Sequence, residues 1–116
     1  MIKSENRLRK NSQFLFIYKH GKASHGANLT VVYLKTKIQP YKVGFTVSKK
    51  IGKSVVRSKI KRRLTECFNR VQKFVDSSYN YVFISKSGIE NLSFFEMLEE
   101  MKKVLKKANL YNEKID

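Results

Sequence analysis

The spacing of apolar residues changes several times along the chain, and each change marks an element. "NSQFLFIYKHG" (11–21) carries Phe14, Ile17 and Tyr18 at helical spacing. Asn11 or Ser12 is placed to cap that short helix, and Gly21 to stop it. "KASHGAN" reads as a loop or short strand. "LTVVYLKTKI" from Leu29 is β-branched and aromatic, so it predicts a strand. "QPY" (Gln39–Tyr41) marks a tight turn. "KVGFTVSKK" then alternates, with Val43, Phe45 and Val47 on one face, which predicts a second long strand pairing back on the first as a hairpin.

After the break at "IGK", Ser54 is placed to cap a helix running to about Val75. At 100° per residue, Val56, Ile60, Leu64, Cys67, Phe68, Val71 and Val75 fall in one arc. "DSS" (Asp76–Ser78) ends it. "YNYVFIS" predicts a strand over Tyr79–Ser85. Ser93 with Glu96 three residues later is a capping box. It opens a last helix that turns Phe94, Met97, Leu98, Met101, Val104, Leu105 and Ala108 inward and ends near Asn109. The order helix, hairpin, helix, strand, helix predicts an α+β domain, a two-layer α/β sandwich around one sheet. Residues 1–116 form one domain, with 1–8 as a tail.

Charge changes the picture from fold to partner. The chain has 116 residues and a formal net charge of +16. Residues 1–75 hold nineteen Lys or Arg against Glu5 and Glu66; residues 76–116 hold six bases and seven acids. Such self-repulsion calls for a polyanionic partner at the first two thirds of the chain: nucleic acid first, an anionic membrane surface second. The membrane reading is the poorer, because the basic helix turns its apolar face into its own core. No apolar run is long enough for a membrane span or signal peptide, which predicts a cytoplasmic protein. The single cysteine, Cys67, lies in the apolar arc and reads as a core residue.

The polar face of the long helix is almost wholly cationic. Lys59, Arg62, Arg63, Arg70 and Lys73 lie opposite the arc or beside it, and Arg57 and Lys61 flank its other edge. A merely solvated face mixes signs for i,i+4 pairing. Here Glu66 alone can pair, with Arg62 or Arg70. The start of the helix favours acids through its free N–H groups and dipole, yet Lys49, Lys50, Lys53 and Arg57 gather there. That pattern makes sense if phosphate occupies the corner. It is not a P-loop, because Gly44 is too far from Gly52 for that spacing. Phe14 and Tyr18 allow two readings: core packing, or stacking on single-stranded bases across an open sheet face. No carboxylate pair, metal-ligand cluster or nucleophile–base spacing occurs, so no residue is assigned a catalytic or metal-binding role. His20 and His25 lie near turns.

These residues carry a resemblance. "RLRKNSQFLFIYKHG", "VGFTVSKKIGKSVVRSKIKRRL" and "YNYVFISKSG" resemble, in order and spacing, the bacterial ribonuclease P protein subunit over about residues 7–111. The resemblance implies a single mixed sheet of about four strands with three helices in α-β-β-β-α-β-α order, and a left-handed crossover through the basic helix. It implies a protein that assists a catalytic RNA in removing the 5′ leader of precursor tRNA, with Mg²⁺ required by the holoenzyme. The partners implied are ribonuclease P RNA and precursor tRNA, with one protein per RNA. Carried over by position, Lys49, Lys50, Lys53, Arg57, Lys59, Lys61, Arg62 and Arg63 would face the RNA subunit. Phe14, Tyr18 and Val32 would line a leader cleft. The family pattern usually has Arg-Asn-Arg where this chain has Arg57-Ser58-Lys59, and Lys59 can offer only a point charge in place of a bidentate fork. Thr65 stands where many members have another base.

The runner-up is a structural protein bound to ribosomal RNA, which the same charge and fold allow; co-purifying RNA separates the two. The first reading predicts that RNA-free protein does not cleave precursor tRNA at the mature 5′ end. Adding ribonuclease P RNA and Mg²⁺ to the same assay should produce that cleavage.

Overall fold

A computed structural model describes residues 6–112. Its elements are α1 (Asn11–His20), β1 (Lys22–His25), β2 (Leu29–Lys35), β3 (Val43–Thr46), α2 (Ser54–Val71), β4 (Tyr79–Ser85) and α3 (Phe94–Lys107). Short 3₁₀ turns follow α2 (Gln72–Phe74) and β4 (Ile89–Asn91). The strands form one mixed sheet in the order β1-β2-β4-β3. The α-β-β-β-α-β-α order is therefore the expected one. The tail expected over residues 1–8 lies, for 1–5, outside the described residues. From Asn6 the chain is tied down: Asn6 Nδ2 donates to the Tyr41 carbonyl (2.7 Å) and the Leu8 N–H to the Val43 carbonyl (3.0 Å).

The expected hairpin does not form between β2 and β3. β2 pairs antiparallel with β4 along its whole length, from Leu29↔Ser85 to Lys35↔Tyr79, and β3 pairs parallel with β4 on the other side. Strand length and burial explain the choice. β2 and β4 are both seven residues, and each has consecutive residues buried on both faces, including Val31, Val32, Tyr81, Val82 and Phe83. Such strands belong in the middle of a sheet. β3 has four residues and sits at the edge. The hairpin is instead β1–β2, closed through Gly26–Asn28. Its turn is held to α3, where Glu100 Oε2 accepts from the Asn28 N–H (2.9 Å) and Ser24 Oγ donates to the Val104 carbonyl (2.7 Å).

The main core lies on one face. Leu29, Val31, Val43, Tyr81 and Phe83 meet Ile60, Leu64, Cys67 and Phe68 of α2 and Met97, Met101 and Leu105 of α3. Phe45, Phe68, Tyr81 and Phe83 form a ring cluster with centroids 5.7–6.4 Å apart. The 3₁₀ turn replaces the last expected turn of α2, so Val75 is buried but not helical. Val56, expected in the core arc, is 37% exposed and rests on Gly52, where an added Cβ would lie 3.0 Å from it. The capping box of α3 is present: the Ser93 N–H donates to Glu96 Oε1 (2.8 Å) and the Glu96 N–H to Ser93 Oγ (3.2 Å). The caps expected of Asn11, Ser12 and Ser54 are not made. Lys10 and Lys53 occupy those positions, and Gln13 Oε1 accepts the Lys10 N–H (3.2 Å) at the start of α1.

The opposite face carries α1, which makes a partial third layer. Ile17 packs there on Val32 and Val82, with Leu8, Phe14, Leu34 and Ile84 around them.

Burial pushes the Cys67 thiol up to about 12. Its Sγ donates to the Phe94 carbonyl, at 3.8 Å. The folded thiol thus ionises later than the unfolded one, so its contribution to stability is present below pH 9.0 and is lost as pH rises toward 12. A thiol-specific reagent at neutral pH should label Cys67 only as fast as the protein unfolds; rapid labelling of native protein would contradict this packing.

Candidate nucleic-acid interface

The cationic surface begins in the loop between β3 and α2. Ile51 is buried and its N–H donates to the Ser48 carbonyl (3.1 Å), which turns the loop and leaves Lys49, Lys50 and Lys53 exposed. Arg57 is half-buried, and its Nε donates to the Gly52 carbonyl (3.1 Å). This contact ties the first turn of α2 to the loop and holds one guanidinium beside the three lysines. The first turn contains no acid and no side chain caps it. Its free N–H groups and the surrounding cations therefore favour an anion together.

Along α2 the side chains divide as the helical angles require. Lys59, Lys61 and Arg62 are exposed, and Arg63 is half-buried. Lys59, Arg62, Arg63 and Glu66 border a groove against Phe94. The pairing expected of Glu66 with Arg62 or Arg70 is not made: among the described residues neither lies within 4.0 Å of it. Arg70 instead stacks over the Phe94 ring, 4.9 Å from its centroid, a contact that helical spacing did not reveal. Lys49, Lys50, Lys53, Lys59, Lys61, Arg62 and Arg63 likewise meet no acid among the described residues. Thr65 Oγ1 donates back to the Lys61 carbonyl (2.8 Å) and adds no charge.

The aromatic pair lies on the other face of the sheet. Phe14 packs on Gly44 of β3 so closely that an added Cβ would sit 2.6 Å from its ring. Tyr18 is 38% exposed, and the two centroids are 6.5 Å apart. The sheet register aligns Thr46, Ile84, Thr30 and His25 in one row, next to the row of Gly44, Val82, Val32 and Ala23 that α1 crosses. Within the outer row only His25 is exposed; Thr30 is buried, and His25 Nδ1 lies 3.2 Å from Thr30 Oγ1. Val32 is 7% exposed and packs with Ile17 and Val82, so it underlies the helix and offers no stacking surface. Leu15 and Phe16 are 63% and 59% exposed and do not anchor α1; Ile17 does. Phe16 turns instead toward His20, with ring centroids 4.6 Å apart.

The two surfaces share one strand. Gly44 supports Phe14 on one face of β3, while Phe45 packs against Phe68 of α2 on the other (6.3 Å). The geometry presents cations on one side and an aromatic-edged strip on the other. Among the described residues no three His, Cys, Asp or Glu side chains converge, so this donor set does not fit a divalent ion held by protein alone. No helix among them is long and apolar enough to cross a membrane.

Known proteins share this fold. A family profile described as ribonuclease P matches residues 2–109. The ribonuclease P protein component of Clostridium beijerinckii is 39% identical over 113 residues, covering 91% of this chain and 90% of that protein. The ribonuclease P protein component of Alkaliphilus oremlandii is 38% identical, covering 96% and 97%. The structure of the Staphylococcus aureus RNase P protein superposes with a TM-score of 0.84 at 29% identity, over 92% of this chain and 98% of that one. The Thermotoga maritima RNase P protein, solved with 1-(4-fluorophenyl)-2-thiourea, gives 0.80 at 28% identity, over 87% and 98%. Profile, near-full-length identity and shared fold agree on one conclusion: the chain belongs to the bacterial ribonuclease P protein family.

Proposed function

We propose that the β3–α2 loop and the cationic side of α2 seat the ribonuclease P RNA, while the strip beside α1 holds the 5′ leader of precursor tRNA. Membership of the family makes the chain the protein component of a ribonucleoprotein endoribonuclease that processes the tRNA 5′ end. The division of labour between its two faces is the reading that goes further. One observation carries it: the loop and α2 hold seven cations that meet no acid among the described residues, at a helix start that no side chain caps. Those groups cost stability through mutual repulsion and regain it when phosphates arrive. Arg57 holds the loop in shape and keeps its remaining N–H groups for phosphate. Lys49, Lys50, Lys53, Lys59, Lys61, Arg62 and Arg63 supply point and forked charge along the RNA backbone.

On the other face Tyr18 gives an exposed ring and Phe14 a half-buried one fixed by Gly44. Stacking on such rings tolerates any base, which suits leaders of varied sequence. Val32 serves as the floor under α1. The holoenzyme's Mg²⁺ is assigned to RNA oxygens, because the described side chains offer no donor cluster for it. One protein chain per RNA is the stoichiometry of this reading.

Two measurements test the assignment. Lys61→Ala with Arg62→Ala should leave thermal unfolding unchanged, since both side chains are exposed. It should weaken affinity for ribonuclease P RNA and reduce the slope of log affinity against log salt by roughly 0.7–0.9 for each phosphate that is no longer neutralised. An unchanged slope would remove α2 from the interface. Tyr18→Ala should cost less stability than the roughly 3–5 kcal/mol of a fully buried ring. It should weaken holoenzyme affinity for precursor tRNA by about 1–3 kcal/mol while leaving mature tRNA affinity and RNA-subunit binding in place. Equal losses for precursor and mature tRNA would show that the ring does not read the leader.

A further inference from the structure

A second cationic hollow lies at the far end of the sheet from the β3–α2 loop. It spans the start of β1, the end of β2 and the start of β4, and encloses about 380 Å³. That volume falls within the range of small-molecule sites, roughly 300–1,000 Å³. Lys22, Tyr33, Lys35 and Tyr79 line it together with Leu34, Ala108 and His20 of α1, and no acidic residue is in its wall. The register explains the grouping. Lys22 pairs with Tyr33 and Lys35 with Tyr79, so all four side chains leave the sheet on one face and within two rows. Tyr33 and Tyr79 meet edge to face, with centroids 5.7 Å apart and planes at 73°. Two rings at that angle form a corner, and both remain half-exposed. Lys35 Nζ stands 5.9 Å from the Tyr79 centroid, while Lys22 is exposed on the neighbouring strand.

We propose that this hollow holds one unpaired nucleotide of the ribonuclease P RNA. Its base stacks in the Tyr33–Tyr79 corner, and its flanking phosphates lie against Lys22 and Lys35. Rings supply a sequence-tolerant stacking surface and lysines a backbone charge clamp, the combination that single-stranded nucleic acid requires. An acidic peptide would use the lysines but bring no planar base to the ring corner, and an uncharged ligand would not use Lys22 and Lys35. The RNA subunit is the source because of the face involved. Lys22, Tyr33, Lys35 and Tyr79 issue from the side of the sheet that carries Tyr81, α2 and α3. The Phe14–Tyr18 strip assigned to the leader is on the opposite side. The inference rests on the family reading of the chain, and it gives the protein two separated holds on the same RNA, at opposite ends of the strands.

Three full-length variants test it with the ribonuclease P RNA as the probe. Lys22→Ala with Lys35→Ala removes the clamp. Tyr79→Leu keeps an apolar residue but removes the ring. Lys102→Ala with Lys103→Ala removes two charges on α3, away from the hollow, and controls for net charge. The clamp variant should weaken RNA affinity and lower the salt slope by about 1.4, for two single-strand phosphates. Tyr79→Leu should weaken affinity roughly fivefold or more with an unchanged salt slope. The control should do neither, and the ratio of precursor to mature tRNA affinity should hold in all three. Equal losses in the clamp and control pairs would reduce the hollow to a share of the general field and overturn the proposal. A loss confined to precursor tRNA would assign the hollow to the leader and overturn it too, as would unaltered RNA affinity in both hollow variants. Tyr79→Leu is read with its thermal unfolding; if it unfolds early, the clamp pair decides, because its two side chains are exposed. If the unaltered protein fails to bind the RNA at all, the family-based function fails and not the hollow.

Discussion

The placement of β4 between β2 and β3 constrains everything else in this molecule. Among the described residues β4 is the only strand with a partner of each kind, antiparallel on one side and parallel on the other. Tyr81, Val82 and Phe83 at its centre are buried on both faces. Tyr81 and Phe83 hold α2 and α3 through Phe68, while Val82 holds α1 through Ile17. Because β3 is parallel to β4, the chain must leave one end of the sheet and return to the other. The basic loop and α2 are that return path. The surface proposed to meet RNA is therefore the connection the topology demands.

The helices were legible in the sequence, since their apolar spacing is local. The α2 face was legible for the same reason: Ile60, Leu64, Cys67, Phe68 and Val71 are buried, and the cations fall outside their arc. Strand pairing was not legible. β2 and β3 are neighbours in the chain, and the "QPY" turn between them suggested a hairpin, yet register is decided by which strands can be buried on both faces. Of the expected leader-cleft positions, Tyr18 is exposed, Phe14 is half-buried against Gly44, and Val32 is covered. Helical spacing placed Phe14 and Tyr18 on one face and the family resemblance added Val32, but only tertiary packing decides how much of each remains in reach. The Arg70–Phe94 stack and the Tyr33–Tyr79 corner join residues far apart in the chain, so no local pattern announces them.

Stability is divided unevenly between the two halves of the fold. α3 has its capping box, an acid in its first turn and lysines in its last, each favourable to a helix by about 0.3–1 kcal/mol. α2 has the reverse arrangement at its start: no cap, no acid and a crowd of cations. It depends on burial of its apolar arc against the ring cluster. The helix that stands apart from the cationic loop is built for stability, and the one that carries the cations gives up local stability at its first turn.

The edge of β3 shows what that charge does when no RNA is near. An exposed strand edge invites pairing with another copy of the chain. Here the segment at Arg7 and Leu8 lies along β3 and covers it at Val43. Beyond that point the edge runs into Ser48, Lys49 and Lys50, where a second molecule would bring its own cations close. Mutual repulsion over a Debye length of about 8–10 Å guards what the short segment leaves open. Salt screens repulsion between copies as readily as attraction to phosphate. The same ionic strength that strips the protein from RNA thus also removes its protection against self-association.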